Sequence, residues 1–198
     1  DYGNNIFNNN VTFYSGENIV SKKINRKKLN KFSKIIKSKV VIWDNFYAND
    51  YCPRRLFLGP LSNRFDVDNL MINPTGLIET DLLILDIVKS TKGERNPKAI
   101  WKNILKKNNV PETFFNISTF FLKPEFKENF KPKNISITKK DMECLEDLLW
   151  RWKSPMSREW YPFLLGLKHD LQLLKKELTS DRIMKINTSP LSNFILKK

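Results

Sequence analysis

The sequence is short of the residues that most often announce a chemistry. In 198 residues it has one histidine, His169, and two cysteines, Cys52 and Cys144. Two distant cysteines make no disulfide framework, and with a single histidine at no ligand spacing they argue against zinc. His169 falls on the polar side of a leucine-rich stretch, the place of a surface or packing residue, and Cys52 reads as an incidental thiol. The glycines form no phosphate-cradling loop; Gly93 and Gly166 stand alone. No apolar run approaches the roughly 18 residues that span a membrane, and no signal peptide is visible. Four Asn-X-Ser/Thr sequons therefore weigh little in so Asn-rich a chain. Nowhere do two aspartates adjoin.

Acidic side chains are scarce as well, 21 Asp and Glu against 35 Lys and Arg, for a net charge of +14. Such a balance admits a nucleic-acid or anionic-membrane partner. The lysines are nevertheless scattered, in short runs such as Lys22-Lys23 and Arg26-Lys27-Lys28 between apolar positions, which is the pattern of a solvated surface. The expectation is no cofactor, no metal, no nucleic acid and no membrane. The first residue is Asp1 rather than Met, so a longer product is expected.

What the chain does have is 40% hydrophobic and 12% aromatic residues, enough for one core, or for one domain and a smaller helical piece. Val11 to Tyr14 reads as a strand and Ser15 to Asn18 as a loop. From Asn25 to Ser38, Leu29, Phe32, Ile35 and Ile36 line one helical face. Val40 to Ile42, running into Trp43, reads as a strand buried on both faces. Strand, loop, helix, strand is one right-handed crossover unit of a parallel sheet.

Asp68 to Ile72 predicts a further short strand, and Glu79 to Lys89 a covering helix. Asn96-Pro97, a cap followed by a first-turn proline, starts a helix to Lys107 with Ile100, Trp101, Ile104 and Leu105 inward. Residues 108–137 carry Pro111, Pro124 and Pro132 and read as a connector, part of it (Phe114-Phe115 to Phe120-Phe121-Leu122) too aromatic to hang free. Thr138 with Asp141 predicts a capped helix carrying Met142, Leu145, Leu148, Leu149 and Trp152. A second helix places Trp160, Phe163, Leu164, Leu167, Leu171, Leu174 and Leu178 on one stripe, which needs further helices or a second subunit to cover it.

Chemistry concentrates where the strand at Val40 to Ile42 ends. Trp43, Asp44, Asn45, Asn49 and Asp50 offer an indole face, two amides and two carboxylates at the C-terminal end of a parallel strand, a usual position for a site in α/β proteins. Sugar sites need this mixture, an aromatic plane for C–H faces and acids or amides for adjacent hydroxyls. A plainer reading stands beside it: Asp44 bridging to Arg54 or Arg55, and Asn49-Asp50 shaping a turn.

The ordered run Trp43-Asp44-Asn45, Ala48-Asn49-Asp50-Tyr51 and Arg55-Leu56-Phe57-Leu58-Gly59-Pro60 resembles the signature near the end of the catalytic barrel of the O-GlcNAcase family, glycoside hydrolase family 84. Tyr14-Ser15-Gly16 with Ile19-Val20-Ser21 resembles that family's sixth barrel strand and loop, and Asn73-Pro74 the end of its eighth. Pro97 to Leu105, with Trp101, resembles the helix after the barrel. Thr138 to Leu178 resembles, more loosely, the helical stalk of the eukaryotic enzymes.

The resemblance implies an α/β fold, a partial TIM (β/α)8 barrel consisting of its last three strands and their helices, followed by a helical stalk segment. The divisions expected are 1–107 for the barrel part, 108–137 for the connector and 138–198 for the stalk. It implies Trp43 as a wall of the N-acetyl pocket and Asn45 beside the acetamido group. Asp50 would bind the hydroxyls at C4 and C6, and Asn73 would add a polar contact, with Ser15 and Ile19 bordering the pocket. Tyr14 stands where the family commonly has Trp, and Phe46-Tyr47 stand where its vertebrate-like members have Ile-His, so the resemblance implies a pocket of different fine shape.

The implied reaction is retaining hydrolysis of β-linked O-GlcNAc from Ser or Thr of proteins, assisted by the substrate's own acetamide, an exception to the two-carboxylate nucleophile scheme. The family's two acids are an adjacent Asp-Asp pair on an earlier strand, which this sequence lacks. Asp44 and Asp50 match other positions, so no catalytic residue is expected in this chain, and alone it should be inactive. The implied setting is the cytoplasm and nucleus, with O-GlcNAc-modified proteins as partners and a homodimer through the stalk helices. The rival readings are a truncated or pseudoenzyme interaction protein, a basic nucleic-acid binder, and a secreted hyaluronidase-like hexosaminidase.

Overall fold

The computed structural model describes residues 11–18, 20, 24–50, 56–61, 64, 69–92, 94, 96–122 and 137–177. Three parallel strands, β1 (Val11–Tyr14), β2 (Lys39–Asp44) and β3 (Leu70–Ile72), lie side by side in that order. β1 and β2 are joined through α1 (Arg26–Ile36), so the crossover unit expected from residues 11–43 is present. Asn25 caps α1 by accepting from the backbone N–H groups of Lys27 and Lys28, two of the donors that a helix start leaves without partners. Lys37, in the left-handed region, ends it.

Pairing register assigns every strand side chain to a face. Tyr14 lies beside Ile42 and Ile42 beside Leu70, while Phe13 lies beside Val41 and Trp43 beside Met71. Because side chains alternate, Tyr14, Ile42, Asp44, Leu70 and Ile72 share one face and Phe13, Val41, Trp43 and Met71 the other. The first face packs with Ile24 and Leu29. The second is open: Val11, Phe13 and Met71 are about half exposed, at 50%, 52% and 42%. The expectation that β2 is buried on both faces is therefore corrected, for only Ile42 and Asp44 along it are buried. Ile35, expected on the inner face of α1, is also exposed.

The helices form the larger core. α2 (Ile78–Thr91) and α3 (Pro97–Lys107) pack together, followed by the short α4 (Phe114–Ile117), a 3-10 turn at Ser118–Phe121, α5 (Lys139–Trp150) and α6 (Pro155–Leu174). One buried cluster runs from Phe46 through Leu83, Trp101, Phe114 and Leu145 to Trp160 and Leu171. The aromatic stretch around Phe114 to Phe121 belongs to it, as its composition suggested. The Thr138–Asp141 capping box is formed, and Ser154 with Ser157 makes a second. At α3 the first-turn proline is in place, but Asn96 makes no side-chain cap.

The stripe on α6 is buried from Trp160 to Leu171 by this chain itself, through α5 and α2, while Leu178 lies outside the described residues. α2 has no side-chain cap of its own, since Leu77 stands at that position. Glu159 of α6 supplies one, accepting from the backbone N–H groups of Glu79 and Thr80, each at 2.9 Å, and from the Thr80 hydroxyl at 2.7 Å. The Trp160 indole donates to the same hydroxyl at 2.9 Å. A carboxylate set against the positive end of a helix is favourable, and here it locks α6 to α2. Among the described residues no helix is long and apolar enough to cross a membrane.

Candidate functional site

The alternation of β2 separates two neighbouring residues of the motif. Trp43 emerges on the open face and Asp44 on the helix-covered face, one residue apart. Each then acquires partners suited to its side.

On the open face the Trp43 indole N–H donates to Asn45 Oδ1 at 2.8 Å, and Asn73 Nδ2 donates to the same oxygen at 3.2 Å. Two donors on one oxygen settle the orientation of the Asn45 amide. Asn73 is in reach because the β2–β3 ladder continues past the strands, its backbone N–H donating to Asp44 O at 3.0 Å. Phe13 stands edge-on to the Trp43 ring, with centroids 5.6 Å apart, and limits its tilt. Trp43, Asn45 and Asn73 are all half-buried at the C-terminal ends of parallel strands, where ligands of open α/β sheets bind.

On the covered face Asp44 is structural. Arg64 Nε donates to Asp44 Oδ2 at 2.6 Å and a second guanidinium nitrogen donates to Oδ1 at 3.2 Å. Both side chains are buried, at 0% and 2% exposure. The backbone N–H of Phe46 also donates to Asp44 Oδ1, at 3.1 Å, and the Ala48 N–H donates to Asn45 O at 3.2 Å, closing the turn after the strand. Tyr47 is buried and donates from its hydroxyl to Gly59 O at 2.7 Å. Burial, with the Asp44 charge adding to it, pushes that phenol far above its ordinary range, so it remains a donor at any physiological pH.

The next layer holds residues 56–61 in place. The Trp101 indole donates to Leu58 O, and the Leu58 N–H donates to Phe121 O at 2.8 Å. A Cβ at Gly59 would meet the Leu122 carbonyl oxygen at 2.0 Å, an approach that only glycine allows.

Three of the four expected site residues, Trp43, Asn45 and Asn73, are thus brought into one hydrogen-bonded group. Asp50 is exposed at the far end of the loop, and neither bond uniting the trio passes through it. Ser15 is exposed just beyond β1. Ile19, Tyr51, Cys52, Arg54 and Arg55 lie outside the described residues, and so does the bridge from Asp44 to Arg54 or Arg55. Arg64 was not singled out by sequence: it lies 20 residues from Asp44, in a stretch without periodicity. Among the described residues no three or more His, Cys, Asp or Glu side chains gather where they could hold a metal.

Comparison with known proteins includes this region. Residues 2–79 match the sequence model of the beta-N-acetylglucosaminidase family. Over 51 residues, 26% of the chain, the sequence is 51% identical to proteins named protein O-GlcNAcase from Rattus norvegicus and from Mus musculus. The match takes in 6% of the length of each of those relatives. In fold, the chain is similar to a point mutant of a Thermobaculum terrenum O-GlcNAc hydrolase, with a TM-score of 0.62 and 19% identity, over 84% of this chain and 43% of that one. The resemblance read from the motif is borne out: the chain carries a stretch of O-GlcNAcase-type glycoside hydrolase sequence, in a mixed helix and strand fold shared with such an enzyme.

Proposed function

We propose that this chain supplies one wall of the sugar pocket of a β-N-acetylglucosaminidase that removes O-GlcNAc from Ser or Thr of proteins. The observation that carries the reading is the trio of Trp43, Asn45 and Asn73, joined at the C-terminal ends of parallel strands and inside the stretch matched by the family. Trp43 presents a ring plane to the N-acetyl methyl group. Asn45 and Asn73 offer amides to the acetamido group and the ring substituents. Asp50, exposed beside them in sequence, accepts hydrogen bonds from sugar hydroxyls at C4 and C6.

In the reaction so proposed, the substrate's acetamide oxygen attacks the anomeric carbon and an oxazoline forms as the aglycone leaves. Two acids drive it, one polarising the acetamide, one protonating the leaving oxygen and then deprotonating water. An adjacent aspartate pair beyond these 198 residues supplies them, since the sequence contains none. The open sheet face fits this reading. Val11, Phe13 and Met71 point to where the remaining strands of a barrel would close, and Ile78, Leu82 and Leu85 lie exposed along α2 where a neighbouring barrel helix would pack. The same reading makes α5 and α6 the beginning of a stalk, with a homodimer formed through it in the cytoplasm and nucleus.

The test uses the longer polypeptide that contains this chain and the aspartate pair, assayed on an aryl β-N-acetylglucosaminide. Asp50→Ala should lower kcat/KM about thirtyfold, the loss of ~2 kcal/mol for a charge-assisted contact. An unchanged kcat/KM would remove Asp50 from the site. If the longer polypeptide hydrolyses nothing while its intact helices still bind a partner protein, the chain is an interaction protein instead.

A further inference from the structure

A second site stands where α5 turns into α6, built from none of the residues of the strand-end site. Leu149, Trp150, Trp152, Lys153, Ser154 and Arg158, with Tyr161 beyond them, line a cleft of about 560 Å³, a volume that takes one or two side chains of a ligand. Its aromatic walls are unusual for a surface. Trp150 is 52% exposed and Tyr161 36%, and the two rings meet edge to face with centroids 6.1 Å apart. The floor is Trp152, itself braced edge-on by Trp160 at 5.2 Å.

The exposed ring is held in position rather than left to swing. The Trp150 indole N–H donates to Glu146, and Glu146 is fixed from its other side by Lys168, which is only 17% exposed. Fixing a large ring in advance lowers the entropy cost of binding.

The charges around the cleft are lopsided. Arg151 lies 3.4 Å from Asp147 and Lys168 pairs with Glu146, so each of those cations has an acidic neighbour. Lys153 and Arg158, both exposed at the cleft, have no ion-pair partner among the described residues, and no acidic side chain lines the cleft. Two such cations flanking an aromatic slot call for an apolar side chain between carboxylates. They are too few for a nucleic-acid strand, which needs a continuous basic track along its phosphates.

We propose that this cleft binds an acidic peptide segment of a partner protein, seating one aromatic or branched aliphatic side chain between Trp150 and Tyr161 and its flanking carboxylates on Lys153 and Arg158. Exposed aromatic and arginine side chains around a pocket are the usual anchors of such contacts.

The test uses the full chain and a short fluorescent peptide with one Phe between pairs of glutamates, read by anisotropy. Glutamine should replace glutamate in the peptide only at a loss of tenfold or more in affinity. Arg158→Glu with Lys153→Glu should abolish measurable binding. Trp150→Ala should weaken it about tenfold, while Trp150→Phe, which keeps a ring, restores most of it. These side chains are exposed, so circular dichroism should show the variants folded. Wild-type affinity in the charge-reversed variant would overturn the proposal. So would an oligothymidylate of equal charge binding as tightly and losing affinity in the same variants. Self-association of the chain that Trp150→Ala abolishes would reassign the cleft to a second copy and overturn it too.

Discussion

The sheet and the helices of this chain are built to different standards of completeness. The sheet carries the candidate site yet has a thin core of its own: among the described residues only Ile24 and Ile42 form a separate buried pair around it, α1 contains no buried residue, and Val11, Phe13 and Met71 on one face are about half exposed. The helices carry little that suggests sugar chemistry yet bury Trp101, Phe114, Leu145, Trp160, Leu167 and Leu171 completely or nearly so. Leu70 and Ile72 of β3 join the two by packing on the helical core. The difference teaches that the strand ends bearing the candidate site rest on the helical core from one side, through Leu70 and Ile72.

The sharpest way to break that comparison is to truncate one aromatic side chain on each side of it. Trp160→Ala should cost about 3–5 kcal/mol in denaturant unfolding, through the cavity and the loss of the indole hydrogen bond to the Thr80 hydroxyl. Phe13→Ala, on the open face, should cost less than about 1 kcal/mol, the size of its edge contact with Trp43. Equal losses would mean that the sheet and the helices share stability evenly.

Arg64→Met tests the connection between the two parts. It leaves the Asp44 carboxylate buried without its guanidinium and should cost about 3 kcal/mol. In the longer polypeptide it should also impair sugar binding, because Asp44 holds the turn that positions Asn45. Gly59→Ala should follow at about 1–3 kcal/mol, since its methyl group collides with the Leu122 backbone and not with a yielding side chain. Thermal unfolding of each variant measures both.

The smallest effect concerns acid. A hydrogen bond from Lys168 holds the Glu146 carboxyl below its ordinary range, with the Trp150 indole adding to it. A carboxyl whose folded value is depressed contributes stability above the ordinary carboxylate range and loses it as pH falls through the lowered value. Glu146→Gln should therefore flatten the acid limb of a pH–stability profile slightly and leave the neutral region almost unchanged. A profile identical to wild type would show that the pair carries no net stability.

Local pattern made much of this readable in the sequence. The strand at 11–14, the helix after Asn25, the capped helix at Thr138 and the leucine stripe of α6 each follow from periodicity or from a cap within a few residues, and each is present. The trio at the site was readable as residues, through the ordered motif, though not as a bonded group. What stayed hidden depends on distant partners. No spacing rule pairs Asp44 with Arg64, or sends Glu159 to cap a helix 79 residues upstream. The openness of the second sheet face was hidden for the opposite reason: Val11, Phe13 and Met71 are apolar, and a pattern records which side chains seek cover, not whether this stretch of chain provides it.

The glycine pressed against the Leu122 carbonyl and the glutamate reaching from α6 to α2 have a consequence for the order of synthesis. Leu122 closes on the loop at Gly59 and Glu159 caps the start of α2, so each of these earlier stretches is completed from later in the chain. From Gly59 to Glu159, translation at roughly 5–20 residues per second leaves a delay of about 5–20 s. Until it ends, the first backbone N–H groups of α2 are without the carboxylate that caps them in the folded chain.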